Sequence, residues 1–168
     1  MADDILSKIE KLAERVTDYL GVEIVPIEFD DTIEDDSRLT LRPDIKILIN
    51  AKFEDNYFEC AKAIVHEYRH LFQILWAFQM EDKIAKRWRN AFHNATSSEN
   101  ADIITNVEDT TKYATQEIEL DAFAFTKYYL EKHEGMEVNH PSAEYEKLIK
   151  QYILVNMSRI KINSCYLK

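Results

Sequence analysis

The string His66-Glu67-Tyr68-Arg69-His70 combines two imidazoles and a carboxylate at a spacing that suits metal-assisted hydrolysis. Residues four apart on a helix lie about 40° from each other around the axis and one turn apart along it, so both imidazoles leave one face. Tetrahedral zinc with Zn–N of ~2.0–2.1 Å brings two such nitrogens to roughly 3.3 Å, which neighbouring turns reach with ordinary rotamers. Glu67 falls about 100° further round, a position better suited to a base than to a ligand. Zinc lowers the pKa of water from about 15.7 toward ~7; Glu67 is then placed to take the proton as a metal-activated water attacks a peptide carbonyl, and to hand it to the leaving amine.

Two histidines leave the coordination incomplete, and a catalytic site needs one further protein ligand and an open position. A third histidine in the metzincin pattern is excluded, because Gln73 and Trp76 occupy the places its Gly and His would take. The best donor is Glu117, which lies four residues before Asp121 on one face of a second helix. Asp121 then accepts the other ring N–H of a liganding histidine and fixes its tautomer. Glu119 points roughly 200° away from Glu117 and is the alternative ligand. An oxyanion donor is open among Arg69, His93, Tyr113 and Tyr128. His133 and His140 sit in a polar turn and are not expected to be ligands.

These side chains need helices to hold them. Asn56 with Glu59 three residues on has the form of an N-cap and capping box, and helical periodicity runs from Tyr57 to about Met80, resuming through Ala85, Trp88 and Phe92. On that helix Ala61, Ile64, Val65, Tyr68, Leu71, Phe72 and Leu75 form the apolar face, with Ala63, Gln73 and Ala77 on the histidine side. Further helices are expected over Asp3 to Leu20, stopped by Gly21, over Ala114 to Lys132, and over Ser142 to Asn156 with Pro141 in the first turn. Val22 to Phe29, with Pro26 confining it to an edge or a break, and Ile45 to Ile49, continued to Phe53, read as strands; Ile160 to Tyr166 is a candidate third. Asp30 to Ser37 reads as a solvated loop. The polar stretch Thr96 to Thr111 is long for a loop and could cover the site. The fold class is α+β, a helix-rich single domain over residues 1–168 with a small sheet on the histidine helix.

Against 31 acidic residues stand 21 basic ones, a formal charge of -10 that repels phosphate backbones, so nucleic acid is not an expected partner. Neither a signal-peptide pattern nor a run of ~18 apolar residues is visible, so the expectation is a cytoplasmic protein without membrane attachment. Cys60 and Cys165 belong to no Cys-x-x-Cys pair and read as structural thiols.

His66-Glu67-x-x-His70 followed by Glu117-x-x-x-Asp121-Ala122-Phe123-Ala124 resembles the gluzincin branch of the zincin metallopeptidases. With Ile47-Leu48-Ile49-Asn50 ahead of the histidine helix, the chain is most similar to small ImmA/IrrE-like peptidases. The resemblance covers about Ile45 to Leu130; it departs where small members carry Leu-Gly and this chain has Tyr68-Arg69, and in a longer gap from His70 to Glu117. It implies a zincin-like fold, Zn2+ held by His66, His70 and Glu117 with Asp121 behind them, and endopeptidase activity. It also implies an edge strand, here Ile45 to Phe53, that takes a protein or peptide substrate by β-addition, the substrate being a regulatory protein such as a repressor. The competing expectation is an inactive zincin-fold binding or regulatory protein with a structural metal. Oligomeric state is not legible.

Overall fold

The computed structural model describes residues 2–97 and 117–161. The first helix, α1 (Ala2–Leu20), buries Ile9, Leu12, Ala13, Val16 and Leu20, the stripe its spacing predicts. Gly21 ends it in the left-handed conformation at φ 70°, where its N–H bonds back to the Thr17 carbonyl.

Three short strands follow: β1 (Ile27–Asp30), β2 (Ser37–Thr40) and β3 (Lys46–Asn50). Their order is β1-β3-β2, with β1 parallel and β2 antiparallel to β3. The first strand starts later than the expected Val22 to Phe29, after Pro26, which has no N–H to give and meets β3 through its carbonyl, the acceptor of the Ile47 N–H. Of the loop expected over Asp30 to Ser37, residues 31–36 are loop, whereas Asp30 ends β1 and Ser37 starts β2, a strand the sequence reading missed. The expectation of an edge strand at Ile45 to Phe53 is corrected: β3 is paired on both sides and cannot accept an added strand. Its Ile47, Leu48 and Ile49 are all buried, as a central strand requires. The chain leaves it through a 3₁₀ turn, Ala51–Phe53, rather than as continued strand.

The histidine helix, α2 (Tyr57–Gln79), starts where Asn56 accepts from the Glu59 N–H, and it is the hub of the packing. α1 and α3 (Lys83–Ser97) lie against it, as does α4 (Glu117–Tyr129), which continues through a π-helical turn, Leu130–Glu134. The last helix, α5 (Ala143–Ile160), packs on α4. It is capped by Ser142, so Pro141 precedes the cap instead of entering the first turn; its backbone breaks at Asn156, the expected end, at φ -116° and ψ 24°, and helix resumes past the kink to Ile160. Cys60 is buried, its thiol directed at the Phe53 carbonyl 3.2 Å away. Most of the expected Thr96 to Thr111 loop, the start of the helix at Ala114, the strand after Ile160 and Cys165 lie outside the described residues. Among the described residues no helix is long and apolar enough to cross a membrane.

Candidate metal centre

On α2, His66 and His70 leave the same face as their spacing predicts, and their Nε2 atoms stand 3.0 Å apart. The carboxylate that meets them comes from α4, but it is Glu119. Its Oε2 is 3.3 Å from His66 Nε2 and its Oε1 3.3 Å from His70 Nε2. One donor atom from each of the three residues lies within 4.8 Å of the others. Two imidazole nitrogens and a carboxylate form the donor set of catalytic zinc sites, and separations of 3.0 and 3.3 Å match the ~3.3 Å of ligands on a tetrahedral ion.

The structure thus corrects the choice of Glu117. That side chain faces away from the histidines and is held by Arg87 of α3, at 2.9 Å, and Arg159 of α5. The expected sharing of a face by Glu117 and Asp121 is observed, yet the face meets arginines: Arg159 also bonds Tyr152, whose hydroxyl reaches Asp121 Oδ1 at 3.3 Å. The opposite face carries Glu119 and, four residues on, Phe123, whose ring lies 4.6 Å from that of His66.

Asp121 supports His70 at one remove rather than directly. Gln73 stands between them: its side-chain nitrogen donates to Asp121 Oδ2 at 2.8 Å and to the Ile118 carbonyl at 2.9 Å. Both amide hydrogens are thereby used, so the oxygen must face His70 Nδ1, 2.9 Å away, and can only accept from it. His70 Nδ1 therefore carries a hydrogen, and the neutral ring presents the Nε2 lone pair to the site. Gln73 was legible only as a neighbour on the histidine side; a polar residue three positions after His70 in an otherwise apolar stretch was the signal for its role.

Arg69, weighed as an oxyanion donor, is wholly buried and committed elsewhere. Its Nε donates to Asp121 Oδ2 at 2.7 Å, and its guanidinium lies 4.8–4.9 Å from the rings of Phe125 and Phe72. Tyr128 packs toward His133, His93 is exposed on α3, and Tyr113 lies outside the described residues.

Electrostatics mark the centre as a seat for positive charge. Burial would raise the Glu119 carboxyl, but the charge of His70 and hydrogen bonds from both imidazoles outweigh it and hold the group far below the usual range. Burial would likewise lower His70; the charge of Glu119 and its hydrogen bond prevail, and the ring is pushed up to about 9. Below that pH the metal-free ring keeps a proton that an incoming cation must displace, so metal affinity should rise with pH and level off above about 9. Zinc titrations by calorimetry at pH 7, in buffers of different ionisation heat, are expected to show about one proton released from this ring. An uptake heat independent of buffer would contradict the assignment.

Glu67 does not join His66, His70 and Glu119 at their meeting point. It is buried beside them, and its Oε1 accepts a 2.7 Å hydrogen bond from the Ser37 hydroxyl on β2. The three side chains, Glu67 and Ser37 line one cleft of about 510 Å³, to which β2 and residues 138–141 also contribute. His140, expected only as a turn residue, lines this cleft. Its Nδ1 accepts from the Ser142 backbone N–H at 3.1 Å and burial depresses its pKa, so the neutral ring carries its hydrogen on Nε2.

No protein-family model, curated protein or solved structure matches this chain.

Proposed function

We propose that the chain is a zinc-dependent metallopeptidase of zincin-like fold and gluzincin type, hydrolysing internal peptide bonds with Glu67 as general base. The observation that supports this most is the meeting of His66, His70 and Glu119 at one point, with a carboxylate that is not a ligand beside them, at the wall of an open cleft. A purely structural metal has no need of such a base or of access from solvent. Bound zinc would supply a Lewis acid that acidifies water and polarises the scissile carbonyl. Gln73 and Asp121 keep the His70 lone pair aimed inward. Glu67 takes a proton from the attacking water as its oxygen bonds to the carbonyl carbon, and delivers it to the nitrogen as the C–N bond breaks.

The substrate in this reading is a peptide strand that adds to β2, not to β3. The Asn50 N–H donates to the Asp36 carbonyl, which places the ladder bonds at alternate residues and turns the N–H and C=O of Ser37 and Leu39 to the open edge. Both residues line the cleft. The ImmA/IrrE-like resemblance suggests a regulatory protein as the natural target and a cytoplasmic setting, in which the buried Cys60 thiol stays reduced.

Glu67→Gln tests the reading. The variant should keep its zinc and lose casein hydrolysis by about 10²–10⁴-fold, the usual contribution of a positioned acid–base group. Undiminished cleavage would remove this mechanism, and a parent that binds zinc but leaves casein and unstructured peptides intact would favour a binding protein.

A further inference from the structure

The residue that touches Glu67 lies on the strand a substrate would join. Ser37 opens β2, its hydroxyl donates to Glu67 Oε1 at 2.7 Å, and β2 is an edge strand. Among the described residues Glu67 has no other hydrogen-bond donor. The terminal torsion of a glutamate is soft and roughly two-fold, so a carboxylate without a fixed donor samples many orientations. One hydrogen bond to one oxygen selects among them. It occupies Oε1 and leaves Oε2 as the free oxygen of a carboxylate that borders the histidine pair.

Resting on the metallopeptidase reading above, we infer that Ser37 is a positioning residue: it sets the rotation of the Glu67 carboxylate and links that setting to occupation of the β2 edge. The link is covalent. The Ser37 side chain holds the base while its own backbone N–H and C=O face the open edge, so a peptide that pairs with β2 bonds the same residue that aligns the base. A hydroxyl serving only to tie β2 to α2 would need no particular partner, whereas this one meets the buried carboxylate next to the histidine pair. Because Ser37→Ala keeps the backbone, substrate binding should survive while alignment is lost.

The test uses the zinc-loaded full chain with Ser37→Ala, Ser37→Thr and Glu67→Gln, read by zinc content, by affinity for acetohydroxamic acid, and by kcat and KM on a casein-derived peptide. The hydroxamate loses its hydroxyl proton to a neighbouring carboxylate when it chelates zinc, so its affinity reports the base without turnover. Ser37→Ala should bind it about tenfold more weakly and lose about tenfold in kcat, as expected for one hydrogen bond to a charged group, with KM and zinc content unchanged. Ser37→Thr, which keeps the hydroxyl, should return both values to within about twofold of the parent. Unchanged hydroxamate affinity in Ser37→Ala, or no rescue by threonine, overturns the inference. A zinc-loaded parent that leaves the peptide intact would instead sink the peptidase reading, while the hydroxamate series still decides the role of Ser37.

Discussion

Glu119→Ala is expected to strip the protein of zinc, whereas Glu117→Ala should bind it as the parent does. The two residues are separated by one position, yet only Glu119 reaches both histidines. Structural zinc sites with four ligands release ~10–16 kcal/mol on binding, so one ligand accounts for roughly 3–4 kcal/mol, or about 100–1000-fold in affinity. Glu119→Ala also leaves two half-buried imidazoles without the carboxylate that favours a cation between them, and in the metal-free state the raised His70 pKa should fall. Glu117→Ala loses its pairs with Arg87 and Arg159, which brace α4 against α3 and α5, and its effect should appear in thermal stability. Zinc stoichiometry by atomic absorption and competition with a chromophoric chelator measure the contrast. Equal zinc loss in both variants would return the ligand to dispute.

The second large effect is expected at Arg69, far from any ligand role. Its guanidinium and the Asp121 carboxylate are completely buried, joined at 2.7 Å and enclosed by Phe72, Trp88 and Phe125. Arg69→Met keeps most of the volume but leaves Asp121 charged, buried and short of its partner. Removing one member of such a pair destabilises by about 3–5 kcal/mol. For a chain of this size that corresponds to a fall in Tm of about 6–20 °C. Adding Asp121→Leu should recover much of the stability, because a matched apolar pair carries no unpaid charge. Zinc affinity should then drop instead, by about 10–100-fold, since Gln73 loses the carboxylate that orients it toward His70. Thermal unfolding of Arg69→Met within 2 °C of the parent would show that the pair holds little.

The histidine helix was legible because every local signal agreed on it: the Asn56 cap, the periodicity from Tyr57 onward and the two imidazoles one turn apart. The strands were harder. Ser37-Arg38-Leu39-Thr40 is four residues with one large apolar side chain, so nothing local set β2 apart from the acidic loop before it. The position of β3 was written in the chain and misread: the unbroken apolar run Ile47-Leu48-Ile49 is the mark of a strand covered on both faces, not of an exposed edge.

The carboxylate that meets the two histidines was not legible for a different reason. Helix α4 lies between α2 and α5, and Ile118, Asp121, Ala122, Ala124, Phe125 and Tyr129 are all buried around it. A helix covered on most sides has no apolar stripe to show which carboxylate faces which neighbour. Periodicity correctly put Glu117 and Asp121 on one face; only the packing of Arg69, Arg87 and Arg159 against that face shows that it belongs to an arginine network and leaves the histidines to Glu119. Ser37 and Gln73 became visible for the same reason, as contacts between elements far apart in the chain.

Locating the metal itself bears most directly on the proposed centre. X-ray absorption and anomalous diffraction from zinc-loaded crystals are expected to place one ion at ~2.0–2.2 Å from Nε2 of His66, Nε2 of His70 and a carboxylate oxygen of Glu119. An ion bound through Glu117, or one seated away from the two imidazoles, would contradict the account.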